Sequence, residues 1–206
     1  SMAACTATFE RTFYPLLYPS STIFLMSSYS DRTYLSLLYY LTEAEISLSE
    51  RYLCVSSNSA GSLYSGAVVG NGAVCLTSAT RSINSILATC SSNSLNALAR
   101  ETINSQSMLR SQTLALLTSL GLTLDVSTKN YIMSDCTLIK LSRSELTNRN
   151  YLIMLTSLQE IGINLSLYAS QTSTTASVVA FATSVVTLLA TQVMRNIDLL
   201  NTGGDF

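Results

Sequence analysis

The pattern of apolar residues predicts an α+β fold, a two-layer sandwich in which helices cover one face of an antiparallel sheet. Stretches with apolar residues at helical spacing are followed, after a single stop residue, by stretches in which apolar and polar residues alternate. The pattern also recurs along the chain. Residues 110–124 and 149–165 each show a helical stripe, a glycine and an alternating strand, and residues 32–48 are a looser copy without the glycine.

A repeated helix–strand–strand unit is typical of a ferredoxin-like sandwich. An all-α helical bundle is the alternative, because short apolar runs do not distinguish a strand from a buried helix.

The first half of the chain, residues 21–92, is predicted to form one α/β unit. Ser30 and Asp31 supply a signal for the start of a helix. Asn71 and Gly72 predict a tight hairpin, since Asn-Gly tolerates the positive φ angles of a type I′ turn. The predicted elements are a strand at 22–26, a helix at 31–41, a strand at 46–54, a hairpin at 67–76 and a helix at 80–90.

The second half, residues 93–206, is predicted to form a second α/β unit, or to continue the first as one domain. Gly121 and Gly162 are expected to end helices. Residues 1–20 are interpreted as an N-terminal arm that begins with the remnant of a cleaved tag. The predicted elements are helices at 95–103 and 107–120, strands at 122–126 and 137–141, a helix at 144–160, strands at 163–167 and 178–181, and a helix at 185–200.

Residues 151–181 resemble an ACT domain, a small βαββαβ module that regulates amino-acid metabolism. The shared features are a helix ending at Gly162, a strand that follows it, a Ser/Thr-rich turn and a strand at Val178 and Val179. The resemblance implies sheet-to-sheet pairing and binding of a small effector such as an amino acid. No site residue carries over, because the loop at 142–150 lacks the glycine that ACT domains usually place before their first helix.

The composition excludes several kinds of site. The 206 residues include no histidine, so the chain alone cannot build a Ser-His-Asp or Cys-His catalytic site or a zinc site containing histidine. The five cysteines form no CxxC pair, which predicts reduced thiols in an intracellular, cytoplasmic protein and no metal or other cofactor. With 11 basic residues scattered against 12 acidic ones, duplex nucleic acid is not an expected partner.

Three groups of polar residues are candidate sites: Asp125 with Lys129, Cys136 beside Asp135, and Glu43 with Glu45 and Glu50. The first group is expected to be an exposed ion pair, and such pairs are weak. The carboxylate of Asp135 would raise the pKa of the Cys136 thiol and so make it less reactive. The glutamates are not part of a calcium-binding loop pattern. We therefore expect solvated pairs and faces here, with no catalytic or metal site.

Only 11% of the residues are charged, and the remaining polar residues are mostly Ser and Thr. This composition predicts a non-catalytic assembly or interaction protein, structural or viral, that forms a homo-oligomer through a weakly charged surface. A further protein partner is left open. Tyr34 is expected in the core, whereas the interface candidates are Tyr39, Tyr40, Ser166 and Tyr168.

Three other functions remain as alternatives. The first is an ACT-like module that binds a small-molecule effector, and the second is an enzyme that uses a carboxylate or lysine as its base. The third is a membrane-associated protein that uses the apolar window 176–194. Hydroxyl and amide side chains within that window favour a buried strand followed by a helix, so contact with a membrane is not expected.

Overall fold

The computed structural model of the chain describes residues 29–56, 94–132 and 146–202. Within these ranges the regular elements are helical and no strand is present. The elements are α1 (Asp31–Ser56), α2 (Ser94–Ser119), a 3₁₀ turn (Val126–Thr128), α3 (Lys129–Ile132), α4 (Asn148–Thr172) and α5 (Ala176–Thr202). The predicted α+β sandwich of ferredoxin-like type is wrong, and the described chain fits the all-α alternative.

Helix α1 runs antiparallel to α4. Near the start of α1, the hydroxyl of Tyr34 shares a 2.7 Å hydrogen bond with the hydroxyl of Ser166, which lies near the end of α4. Near the end of α1, Ser49 shares a 2.8 Å bond with Tyr151 at the start of α4. The two bonds fix both the direction and the register of this pair of helices.

The other two long helices also lie antiparallel to their neighbours. Arg32, at the start of α1, donates to the carbonyl oxygen of Thr123 just beyond the end of α2, at 2.7 Å. A short turn at residues 173–175 joins α4 to α5. Gln106 of α2 donates to Gln192 of α5 at 3.2 Å, which closes a four-helix bundle. The end of α2 and the start of α4 therefore lie at opposite ends of the bundle.

Three predicted strands lie inside helices because the apolar stripe continues at helical spacing. In α4 the buried residues Leu158, Ile161 and Leu165 run straight past the predicted stop at Gly162. The predicted strand at 46–54 belongs to α1 and the one at 178–181 begins α5. Residues 151–181 are thus two helices joined by a turn, and the resemblance to an ACT domain is wrong.

Gly162 has a packing role instead of a stop role. A Cβ atom at this position would lie 2.6 Å from the Cδ1 atom of Leu189 in α5. The absence of a side chain therefore lets α4 and α5 approach closely, although glycine lowers the helical propensity of α4. Glycine in a sequence marks a helix stop or a close approach, and only the packing distinguishes them.

Gly121 ends α2 as predicted. Its φ angle is 69°, in the left-handed region, and its amide donates to the carbonyl of Thr118 at 3.0 Å. The Leu122 amide donates to the carbonyl of Leu117 at 2.9 Å, which completes a Schellman motif. The strand predicted at 122–126 is not present: residues 122–125 have no regular secondary structure and lead into the 3₁₀ turn that begins at Val126.

The start of α1 is also confirmed. The Ser30 hydroxyl accepts a hydrogen bond from the Thr33 amide at 3.1 Å and so caps the helix. The Asp31 carboxylate accepts bonds from Ser173 at 2.7 Å and from Thr175 at 2.8 Å. These bonds tie the α4–α5 turn to the beginning of α1.

The remaining predicted elements, at 22–26, 67–76, 80–90 and 137–141, lie outside the described residues. The boundary at residue 92 lies outside them too, so the division into an arm and two units stays a prediction.

We expect Gly121→Ala to lower the free energy of unfolding by about 1 kcal/mol, because alanine resists positive φ. The cost is one of backbone conformation alone, since nothing lies within 4 Å of the position a Cβ would take. Chemical denaturation followed by circular dichroism measures it. Gly121→Asn is the control and should cost less, because asparagine tolerates this conformation. Equal losses for both variants would contradict this account of the helix end.

Candidate functional site: a buried polar layer

Polar side chains from all four long helices meet inside the bundle. We call this group the polar layer, and its members are Glu45 of α1, Ser105 and Gln106 of α2, Gln159 of α4, and Gln192 and Asn196 of α5. Glu45, Gln106, Gln159 and Asn196 are each at most 2% exposed.

Gln159 is the centre of the polar layer. Its Nε2 atom donates to Oε1 of Gln192 at 3.1 Å, and its Oε1 atom accepts from Nδ2 of Asn196 at 2.7 Å. The Gln159 amide also lies close enough to the Glu45 carboxyl to oppose the rise in the pKa of that carboxyl. One amide of α4 therefore connects α1 with α5.

Gln192 extends the network to α2. Its Oε1 atom accepts a second bond, from Nε2 of Gln106 at 3.2 Å, and its Nε2 atom donates to the hydroxyl of Ser105 at 3.0 Å. The polar layer thus bridges the seam between α2 and α5.

The helical pattern explains why these side chains point inward. Asn196 continues the buried stripe of α5 that runs through Val185, Leu189 and Val193. Sequence reasoning missed the polar layer because it treated Gln192 only as a polar residue that argues against a membrane span. The sequence did contain a signal for it: amide side chains such as Gln159 and Asn196 occupy positions at which the helical pattern of apolar residues predicts a buried residue.

Three buried oxygen atoms of the polar layer have no hydrogen-bond partner within the described structure. They are Oε1 of Glu45, Oε1 of Gln106 and Oδ1 of Asn196. A buried polar atom left unsatisfied costs about 1–3 kcal/mol. These three oxygens come from α1, α2 and α5, and each of them adds a cost to folding.

Burial raises the pKa of the Glu45 carboxyl well above its ordinary value of 4.5, and the hydrogen bond from Gln159 opposes this only partly. Desolvation disfavours the carboxylate, so folding favours the protonated acid. Burial also raises the pKa of the Tyr151 phenol on α4, and the charge of Glu45 adds a small contribution in the same direction.

A groove between α2 and α5 opens beside the polar layer. Its volume is about 370 Å³, and it is lined by Glu101, Asn104, Ser105, Met108, Gln192 and Arg195. Ser105 and Gln192 belong to both the groove and the polar layer. Arg195 and Glu101 form an ion pair across it.

The three candidate glutamates do not share one site, because Glu43 and Glu50 both lie near Arg110 whereas Glu45 lies apart from them. Glu45 is buried in the polar layer, so the expectation of a solvated face is wrong for it. Glu43 lies 3.9 Å from Arg110. Burial raises the pKa of Glu50 to about 6, against the opposing charge of Arg110. No group of three or more His, Cys, Asp or Glu side chains is placed to hold a metal in the part of the chain that the structure describes.

The Asp125 carboxylate caps the 3₁₀ turn. It accepts from the amide of Ser127 at 3.1 Å and from its hydroxyl at 2.6 Å. The hydrogen bond from the Ser127 hydroxyl is the main reason why the pKa of the Asp125 carboxyl lies below its usual value. Lys129 is exposed one turn later. Asp135 and Cys136 lie outside the described residues.

The interface candidates occupy different environments. Tyr39 and Tyr168 are half-buried, whereas Tyr40 and Ser166 are buried. Tyr34 is fully buried, as predicted, and bonds to Ser166. A contact between copies through the four candidates stays a prediction, but the strand predicted at 163–167, which holds Ser166, is part of helix α4.

Each half-buried tyrosine packs edge-on against another tyrosine. The ring centroids of Tyr39 and Tyr40 lie 5.3 Å apart, and those of Tyr168 and Tyr29 lie 5.9 Å apart. Such pairs stabilise the bundle itself.

No protein-family model, no curated protein and no solved structure matches this chain. The function is therefore argued from the geometry alone.

We expect Glu45→Gln to raise the free energy of unfolding by about 1–3 kcal/mol near neutral pH, because the amide carries no ionisation penalty. The raised pKa of Glu45 fixes the sign. The folded state holds a proton that the unfolded state releases above pH 4.5, so wild-type stability falls as pH rises from there towards the folded pKa.

Denaturant titrations across this pH range measure the difference between variant and wild type. Glu50→Gln is the comparison, and its difference should develop only between pH 4.5 and about 6. A Glu45→Gln variant that is no more stable than wild type at any pH would contradict a buried, strained carboxyl.

Proposed function

We propose that the chain is a non-catalytic helical assembly protein whose copies associate through the outward face of α5. Support comes from the way α5 divides its residues between a packed face and an uncharged exposed face.

The inward face of α5 packs against α4. Val178, Ala182, Val185 and Leu189 are at most 1% exposed and recur at helical spacing. This face anchors the helix and leaves the opposite face outward. Its exposed residues include Ala180, Thr183, Ser184, Thr187, Leu188, Thr191 and Met194.

The outward face is uncharged over most of its length. From Ala176 to Met194 the helix contains no Asp, Glu, Lys or Arg, and Arg195 is the first charged residue. Two copies that bring these faces together therefore meet no repulsion between like charges. Leu188 and Met194 supply apolar surface, at 39% and 69% exposure.

The hydroxyl groups on this face bond to their own helix, and this observation carries the proposal. Thr183 donates to the carbonyl of Val179 at 2.8 Å, Ser184 to Phe181 at 2.6 Å, and Thr191 to Thr187 at 3.0 Å. A hydroxyl that is already bonded loses less when water is removed. A second copy can therefore cover this Ser/Thr-rich face of α5 with only a small loss of hydrogen bonds to water.

The chemistry of the chain agrees with a non-catalytic role. It has no histidine, the usual general acid or base at neutral pH. The polar layer consists mainly of amides, which do not exchange protons in this range. A cytoplasmic location stays a prediction from the cysteine pattern.

Sedimentation velocity over a dilution series should show a reversible oligomer at micromolar concentration. We expect Leu188→Lys to weaken association by about tenfold or more, because symmetry brings the new charges together. Leu114→Lys on α2 is the matched control, since Leu114 has similar exposure, 44% against 39%. It should associate like wild type.

Two results would contradict the proposal. One is a wild-type chain that stays monomeric at tenfold higher concentration. The other is equal weakening by both lysine variants, which would remove α5 as the site of contact.

A membrane is the second candidate partner of the same face. Among the described residues, two helices are long and apolar enough to cross a bilayer by length and composition, Asn148–Thr172 with a mean hydropathy of 1.2 and Ala176–Asn201 with 1.8. The second is only 33% buried in the bundle. Its exposed, internally bonded hydroxyls suit a lipid surface as well as a second copy.

Flotation with phosphatidylcholine vesicles separates the two candidates. We expect the folded protein to stay out of the vesicle fraction, because insertion of α5 would bring Gln192 and Asn196 into hydrocarbon. Flotation of the wild type, with loss of binding in Leu188→Lys, would replace self-association by membrane association as the function of this face.

A further inference from the structure

Three methionines lie among the described residues, and their environments differ sharply. Met154 of α4 is 3% exposed, as expected for a core residue, whereas Met108 of α2 and Met194 of α5 are 65% and 69% exposed. A flexible thioether on the surface is typical of a region that contacts a partner, because the side chain adapts to the shape of what covers it. The two exposed methionines are therefore candidates for contact and for chemical modification.

Met194 belongs to the outward face of α5, whereas Met108 lies elsewhere. The exposed residues Thr187 and Thr191 precede Met194 by seven and three residues, so the three side chains share one side of the helix. Met108 lines the groove between α2 and α5 instead. The chain thus carries two methionines of nearly equal exposure, one inside the face proposed for self-association and one outside it.

The hydrogen-bond donors next to Met194 are engaged within the same bundle. The hydroxyl of Thr191, one turn earlier, donates to the carbonyl of Thr187 at 3.0 Å. Arg195, the next residue, is paired with Glu101 of α2. A thioether is only a weak acceptor and needs no donor. A strong acceptor at this position would be poorly satisfied once a second copy with the same groups covered it.

Hydrogen peroxide converts a methionine thioether into a strong acceptor. A lone pair of the sulfur attacks one oxygen of the peroxide, the O–O bond breaks and a sulfur–oxygen bond forms. The other oxygen leaves with both protons as water, so the sulfur is oxidised and the peroxide is reduced. The product is a polar sulfoxide in place of an apolar side chain, and this change disrupts contacts that methionine makes.

We propose that Met194 is an oxidation site through which hydrogen peroxide controls self-association, and this proposal rests on the association proposed for the outward face of α5. The sulfoxide replaces apolar surface by an acceptor that a second copy satisfies poorly, so the oxidised chain associates less tightly. The coupling works in both directions. Association covers Met194, so it slows the oxidation of this residue and leaves Met108 accessible.

Peptide mass spectrometry after limited exposure to hydrogen peroxide tests the protection of Met194. At a protein concentration where sedimentation shows monomer, Met108 and Met194 should gain an oxygen atom at similar rates, and Met154 much more slowly. Where about nine-tenths of the chain is associated, oxidation of Met194 should slow by about tenfold, because only the free chain reacts. The rate at Met108 should stay the same, which makes it the internal control.

Sedimentation before and after peroxide treatment tests the control of association. Oxidation of the wild type should weaken association by about tenfold or more. Met194→Leu should associate like the wild type and keep its affinity after peroxide, because leucine has a similar volume and no sulfur. Met108→Leu is the matched control and should stay sensitive to peroxide. Met194→Gln introduces a polar group without peroxide and should associate weakly, whereas Met108→Gln should associate normally.

The outcomes separate this proposal from the one on which it rests. A wild-type chain that is monomeric before peroxide would overturn both. An oligomer that keeps its affinity once Met194 is oxidised would overturn the oxidation site alone. So would an equal loss of affinity in Met194→Leu, or a rate of Met194 oxidation that does not fall with association.

Discussion

The register between α1 and α4 is the constraint on which the rest of the bundle depends. Besides the Tyr34–Ser166 and Ser49–Tyr151 bonds, Tyr52 donates to Oδ1 of Asn148 at 2.6 Å. Buried hydroxyls need partners, and a shift of one helical turn would break all three bonds at once. The stacked rings of Tyr52 and Tyr151, 4.2 Å apart, add a contact that tolerates no such shift.

This register determines where the polar layer forms. With α1 and α4 fixed, Glu45 lies opposite Gln159, and the short turn after α4 brings Asn196 of α5 to the same level. Ser173 and Thr175 of that turn bond to Asp31, so α5 is tied to the same end of α1. The helices that carry the polar layer are therefore positioned by contacts outside it.

Part of this architecture was predictable from the sequence. The start of α1 and the end of α2 follow from local signals, because capping by Ser30 and the positive φ of Gly121 depend only on neighbouring residues. The body of α4 was predicted up to Gly162. Its continuation beyond Gly162 was missed because the sequence does not distinguish a glycine that permits close packing of two helices from a glycine that ends a helix.

The strands were predicted where Ser and Thr alternate with apolar residues, as around Ile163 and Leu165. That alternation mimics the two-residue period of a strand over a short window, whereas the helical stripe is visible only over several turns. The polar layer was not predictable as a site, because its members lie on four helices and the sequence does not state which residues face one another. Gln159 is adjacent to Glu160 in the sequence, yet only the former points inward.

The two sides of the bundle differ in how completely their polar groups are satisfied. Between α1 and α4 the buried hydroxyls of Tyr34, Ser49 and Tyr151 are paired with short bonds. Between α2 and α5 a groove separates the helices, and oxygens of Gln106 and Asn196 stay without donors. Because unsatisfied buried atoms cost free energy, local opening should be easiest along the second seam. Glu45 of α1 carries the same cost, because its Oε1 atom also lacks a donor among the described residues, so the polar layer as a whole is less well satisfied than the tyrosine contacts that set the register.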